Sequence, residues 1–164
     1  TQVLTLFPYT TLFRSSSASS CPRDVDMYLV DTDVISEARK DSSCNAGVRA
    51  FFAAARREEH RLFVSAITIG ELRQGVERIR HRGDLAQAAR LERWLGQITS
   101  EFGDSVLSFD PEIAQVWGRL RVPNSENPLD KQIAATALIY DLTVVTRNTA
   151  HYLATGVRLL NPFA

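Results

Sequence analysis

Met27-Tyr-Leu-Val-Asp-Thr-Asp-Val-Ile-Ser-Glu37, MYLVDTDVISE, decides how the rest of the chain is read. An apolar run, Tyr28 to Val30, stops abruptly at two carboxylates, Asp31 and Asp33. Such a run suits a short strand buried on both faces. Thr32 to Arg39 can then start a helix, with Asp31 or Thr32 as its cap. In open α/β sheets the site lies beyond the carboxyl ends of the strands, at the switch in strand order. Acids at the tip of a buried strand are placed for such a site.

Working outward, strand and helix signals alternate. Ala46 to Glu59 reads as a helix, with Val48, Phe51, Phe52 and Ala55 at helical spacing. Arg61 to Ser65 is a second strand. Ile67 to Arg80 is a helix with Ile69, Leu72, Val76 and Ile79 on one face. Gly83 breaks it. Asp84 caps a helix running to about Thr99, with Leu85, Ala88, Leu91 and Leu95 inward. Ser105 to Phe109 is a third strand. Pro111 to Leu120 is a helix capped by Asp110, with Pro at its first position. Val122 to Pro128 reads as a loop. Leu129 to Tyr140 is a helix, apolar at Ile133, Ala134, Ala137 and Leu138. Leu142 to Thr146 and Val157 to Leu160 complete the strands. The alternation predicts a parallel sheet of four to five strands in an α/β/α sandwich.

A chain of 164 residues is enough for one domain with an adequate core. Charge balances at 19 basic against 19 acidic residues, so no global field calls for nucleic acid or membrane. The basic residues are 17 Arg and 2 Lys. Arg suits phosphate, although a GC-rich coding sequence gives the same bias. Cys21 and Cys44 lack metal-ligand spacing and fit a reducing cytosol. No apolar run reaches the roughly 18 residues that a membrane span needs. Residues 1–26 lack sustained periodicity and the pattern of a signal peptide. FPYTTLFRS within them resembles a translated sequencing-adapter scar. The expectation is a non-native or disordered leader over 1–26, with Met27 as the natural start and one domain over 27–164.

Four positions can reach one edge of the predicted sheet. Asp31 ends the first strand, and Glu71 lies one turn into the helix after the second. Asp130 opens the helix before the fourth strand, and Asn148 follows that strand. Clustered carboxylates raise one another's pKa, and a divalent cation relieves the repulsion. Mg²⁺ takes oxygen ligands, often one or two carboxylates plus a phosphate, and such ions serve phosphodiester hydrolysis. Taken singly, Asp31 and Asp130 also read as a helix cap and a first-turn acid, and Glu71 as a solvated flank.

Four segments carry a family resemblance: LVDTDVISE at 29–37, SAITIGELRQGV at 65–76, DKQIAATAL at 130–138 and TVVTRNTAHYLATGVRLLNPF at 143–163. Together they resemble the PIN-domain ribonucleases, specifically VapC-like toxins of type II toxin–antitoxin systems. The closing block resembles the plasmid-stability, StbB-like branch. The likeness spans essentially all of 27–164. It implies a three-layer α/β/α PIN-like fold, a Mg²⁺ or Mn²⁺ cofactor and endonucleolytic cleavage of RNA in the cytoplasm. It also implies a homodimer, inhibition by a cognate antitoxin, and contact with operator DNA only through the antitoxin complex.

By the same resemblance, Asp31, Glu71 and Asp130 match the family's metal-binding acids. Thr146 matches the hydroxyl that orients the acidic centre. Asn148 stands where some members carry a fourth acid, and His151 where others do. That departure leaves a second metal site open. His151 can bind Mn²⁺, act on a leaving group or stack on a base, or it is a surface substitution. Asp33, where the family commonly has Asn, is either an accessory acid or a further cap.

Residues 73–93 hold six Arg, His81 and three acids. Arg73, Arg78, Arg80 and Arg82 are candidate RNA contacts on a basic ridge, or members of ordinary salt bridges. Two rival functions stand beside the nuclease. One is a PIN-like module that binds antitoxin or RNA but has lost its chemistry. The other is a haloacid-dehalogenase-like phosphatase, with Asp31 as nucleophile, Asp33 as general acid and Lys131 as the later lysine. No acidic pair follows Val145 to complete that second set.

Overall fold

The computed structural model describes residues 25–163. The expected leader, with Cys21, lies outside the described residues except for Val25 and Asp26. In chain order the elements are β1 (Met27–Val30), α1 (Thr32–Ala38), α2 (Ala46–Arg57), β2 (Arg61–Ser65), α3 (Ala66–His81) and α4 (Leu85–Phe102). Then come β3 (Val106–Leu107), α5 (Pro111–Leu120), α6 (Pro128–Ile139), β4 (Thr143–Val145) and β5 (Arg158–Leu160). Short 3-10 segments lie at Asp41–Ser43, Gly103–Ser105 and Thr149–Thr155.

The strands form one sheet in the order β3-β2-β1-β4-β5, with every neighbouring pair parallel. β1 is central. The chain moves from it to β2 and β3 on one side, then returns to β4 and β5 on the other. The order therefore switches between β1 and β4, where a crevice is expected at the carboxyl ends.

Both faces are covered because successive strand residues point to opposite sides. Val30 and Val145 join Val34, Ile35, Val48, Leu72, Val76 and Ile98 in a core beneath α1 to α4. Leu29 and Val144 join Ile133, Ala134, Ala137 and Tyr152 on the α6 face. This is the expected three-layer α/β/α sandwich, with five strands. No helix among the described residues is long and apolar enough to cross a membrane.

Several local readings need correction. The third strand is Val106–Leu107 rather than 105–109, because a 3-10 turn takes Gly103–Ser105 and the chain then leaves for the Asp110 cap. Leu85 is 65% exposed, not inward. It opens α4 at the tip of the α3–α4 hairpin, beyond the last turn of α3. Trp94 and Ile98 fill the buried face instead. Leu138 is 38% exposed. α6 buries Lys131 and the run Ile133–Ala137 almost all round, and Leu138 is turned away from it. Gly83 does end the α3 region, at a φ of 90°, a conformation that suits glycine.

Candidate active site

Asp31 sits where β1 ends and α1 begins. Its amide donates to Val145 O at 3.0 Å, which extends the β1–β4 pairing to the switch point. Its backbone is extended, and its carboxylate caps α1 by accepting the Thr32 amide at 2.7 Å through Oδ1. Cap and site acid are thus one residue. Asp31 is only 4% exposed.

Glu71 reaches the same place from α3. The Thr32 hydroxyl donates to its Oε2 at 2.5 Å. Burial raises the Glu71 pKa, and the charges of Asp31, Asp130 and Asp33 add to the rise, while the Thr32 bond opposes it. Asp130 stands in the first turn of α6, which opens at Pro128 after Asn127 in the left-handed region. Burial raises its pKa and Asp31 adds to this, while His151 and Tyr152 act the other way. The acids from β1, α3 and α6 therefore lie within one electrostatic neighbourhood.

Asp33 belongs to it as well. Its Oδ2 accepts the Arg147 amide at 3.0 Å, and its Oδ1 is buried with no partner among the described residues. Burial, aided by Asp31, pushes its carboxyl up to about 6. The Arg147 guanidinium lies 3.5 Å from the buried Glu37 and 3.9 Å from the centre of the Phe163 ring. That brace anchors the loop after β4 beside α1.

Thr146 is fully buried at the end of β4, and its Oγ1 accepts the Asn148 amide at 3.0 Å. It shapes the turn out of the strand. Asn148 contributes its backbone to that turn, accepting the His151 amide at 3.0 Å. His151 meets Asp130 directly, Nδ1 to Oδ2 at 2.9 Å. Next to it, the Tyr152 hydroxyl donates to Asp31 Oδ2 at 2.9 Å. Tyr152 and Thr32 were missed as site residues. A 3-10 segment has no helical period to mark a buried face, and Thr32 reads from sequence only as a cap.

The donor set fits a hard divalent cation in chemistry: carboxylate oxygens, crowded and raising one another's pKa. Among the described residues no three His, Cys, Asp or Glu side chains already converge as a ligand cluster. Lys131, which the phosphatase reading needs, is 4% exposed, and its Nζ donates to the Asn124 carbonyl.

The basic ridge is partly neutralised. Arg73 and Arg80 each pair with Glu77 and with Glu92 across the α3–α4 hairpin. Arg78 and Arg82 are exposed.

The PIN domain family model matches residues 28–156. The chain is 33% identical over 143 residues to Toxin FitB of Neisseria gonorrhoeae, covering 84% of this chain and 99% of the relative. It is 33% identical over 142 residues to Plasmid stability protein StbB of Pseudomonas syringae pv. tomato, with the same coverage of each. A VapC ribonuclease of Sinorhizobium fredii is 33% identical over 144 residues, covering 84% of this chain and 98% of the relative. The crystal structure of FitAcB from Neisseria gonorrhoeae superposes with a TM-score of 0.69 at 33% identity, covering 83% of this chain and 98% of that one. With its acids gathered where the strand order switches, and with this likeness along most of its length, the chain belongs to the PIN-domain family.

Proposed function

We propose that this chain is a metal-dependent endoribonuclease that serves as the toxin of a type II toxin–antitoxin pair. One observation carries the chemistry. Asp31, Glu71 and Asp130 come from three elements to one end of the sheet, and the pKa of Glu71 and that of Asp130 are both raised with Asp31 as a contributor. The toxin and ribonuclease names of the relatives support the biological role. Asp31 and Asp130 are the primary ligands in this reading and Glu71 is the third acid. Thr146 and Asn148 shape the loop beside them.

Asp31, Asp130 and Glu71 would hold a Mg²⁺ or Mn²⁺ ion, which would supply water activation and charge stabilisation for phosphodiester hydrolysis. The chain's own work is positional. The Thr32 amide and the Tyr152 hydroxyl hold Asp31, the Thr32 hydroxyl holds Glu71, and His151 holds Asp130. Of the four candidate contacts, Arg78 and Arg82 are exposed and stand outside the Glu77 and Glu92 ion pairs, which suits them to meet RNA phosphates. The partners in this reading are RNA, a cognate antitoxin and a second copy of the chain, with operator DNA met through the antitoxin complex in the cytoplasm.

The contact of His151 with Asp130 favours a second reading. A histidine stands where the family resemblance implies an acid, which suits a binding module with weakened chemistry. RNA cleavage by the full-length chain in Mg²⁺, Mn²⁺ or EDTA, beside Asp130→Asn, separates the two. Metal-dependent cutting that disappears in the variant supports the nuclease. No cutting by either protein, with antitoxin binding intact in both, moves the binding module ahead. Equal cutting by both would indicate a contaminating ribonuclease and remove the support for this site.

A further inference from the structure

Tyr152 is 0% exposed and is the largest fully buried side chain among the described residues. Its ring belongs to the core on the α6 face, against Leu29, Ile133 and Val144. A phenylalanine would fill that place with the same apolar contact and no polar group to satisfy. The hydroxyl adds nothing to the packing and must find a partner. It finds Asp31 Oδ2 at 2.9 Å.

That bond completes a set. Asp31 Oδ1 already accepts the Thr32 amide. A carboxylate offers about four lone-pair positions, so each Asp31 oxygen keeps one for a further ligand. The bonds fix the plane and rotation of the carboxylate without filling it. The residue preceding Tyr152, His151, contacts Asp130 Oδ2 at 2.9 Å. Two consecutive residues of one 3-10 segment thus reach two acids that come from β1 and α6.

We propose that Tyr152 is a positioning residue of the acidic centre, its buried hydroxyl holding the Asp31 carboxylate in register with Asp130 for a divalent cation. The inference rests on the metal-dependent reading above. Hydrogen-bonding partners behind a ligand typically set metal affinity by about 10- to 100-fold, so the effect is measurable without any RNA.

The experiment is Mn²⁺ calorimetry on the full-length chain at a temperature where every variant is folded. Tyr152→Phe is expected to weaken Mn²⁺ binding by roughly tenfold or more. Val144→Ala, a core change on the same face, is expected to lower Tm and leave the Mn²⁺ Kd unchanged. A merely structural tyrosine would make the two variants alike, and a Tyr152→Phe Kd within about twofold of the parent overturns the proposal. A parent chain that binds no Mn²⁺ overturns the metal reading and this inference with it. A measurement on the unmutated protein covers the case in which Tyr152→Phe does not fold. The NMR shift of the hydroxyl-bearing ring carbon of Tyr152 is expected to move on Mg²⁺ titration and to saturate with binding. An unmoved resonance at saturating Mg²⁺ overturns the proposal.

Discussion

The Thr32 hydroxyl donates to Glu71 Oε2 at 2.5 Å, joining the first residue of α1 to the middle of α3. The bond favours the charged carboxylate and opposes the rise that burial and the neighbouring acids impose. Thr32→Val keeps the shape and removes the donor, so the Glu71 pKa rises further. In the proposed reaction that carboxylate acts in its charged form. The acid-side limb of the pH–rate profile should therefore move to higher pH, with a loss of about tenfold on that limb. The profile of the variant against its parent checks this, and superimposable profiles would remove Glu71 from the reaction.

Asp33, Glu71 and Asp130 all titrate above their ordinary values in the folded protein, Asp33 at about 6. Between the ordinary carboxylate pKa and these raised values, the folded state binds more protons than the unfolded chain. Stability is then fully present below about pH 4 and is lost as pH rises through about 6. The metal-free protein should be more stable at pH 5 than at pH 7.5. For the partly exposed Asp33, solvent screening leaves about 1 kcal/mol of this. Asp33→Asn should regain about that amount at pH 7.5 and flatten the dependence. Urea unfolding in EDTA at the two pH values measures both effects.

The four candidate arginines of the ridge separate into an ion-paired and an exposed pair. Arg73 and Arg80 share Glu77 and Glu92, whereas Arg78 and Arg82 are exposed. Replacing Arg78 and Arg82 with Ala should weaken RNA binding across sequences and reduce the salt slope by about one per lost phosphate contact. Exposed pairs contribute roughly 0–1 kcal/mol each, so Arg73→Ala should cost little stability and leave most of the slope. Filter binding from low to moderate salt tests the contrast. A larger effect at Arg73 than at Arg78 would reverse the assignment.

The acids at the mouth of the sheet were legible because they follow strand ends and helix starts, where sequence signals are strong. Asp31, Glu71 and Asp130 could be placed at one edge from order alone, and the structure brings them into one electrostatic neighbourhood. The groups that hold them were not legible. Tyr152 lies in a 3-10 segment, and its partner Asp31 is 121 residues away in sequence. Arg147 reaches Asp33 through its backbone amide, which no residue type announces. Glu37 is 6% exposed and accepts from Lys40 and the Asn45 amide, contacts that no helical period marks. Leu85 and Leu138 fit their helical faces by period, but period cannot tell where the opposing element ends.

His151 gives the last prediction. Its ring favours the charged form of Asp130 by hydrogen bonding and by charge. His151→Asp removes that support and adds a like charge, so the Asp130 pKa should rise in the metal-free protein. Stability in EDTA should fall at neutral pH and recover on acidification, because the added repulsion disappears as the carboxylates take up protons. A divalent cation should reverse the penalty, since an acid at 151 supplies another oxygen beside Asp130. Mn²⁺ should then stabilise the variant more than the parent, and cleavage at limiting Mn²⁺ should rise by roughly tenfold. Thermal unfolding against Mn²⁺ concentration, followed by single-turnover cleavage, reads both. If His151→Asp matches its parent in both measurements, position 151 is a surface site and the chemistry rests on three acids alone.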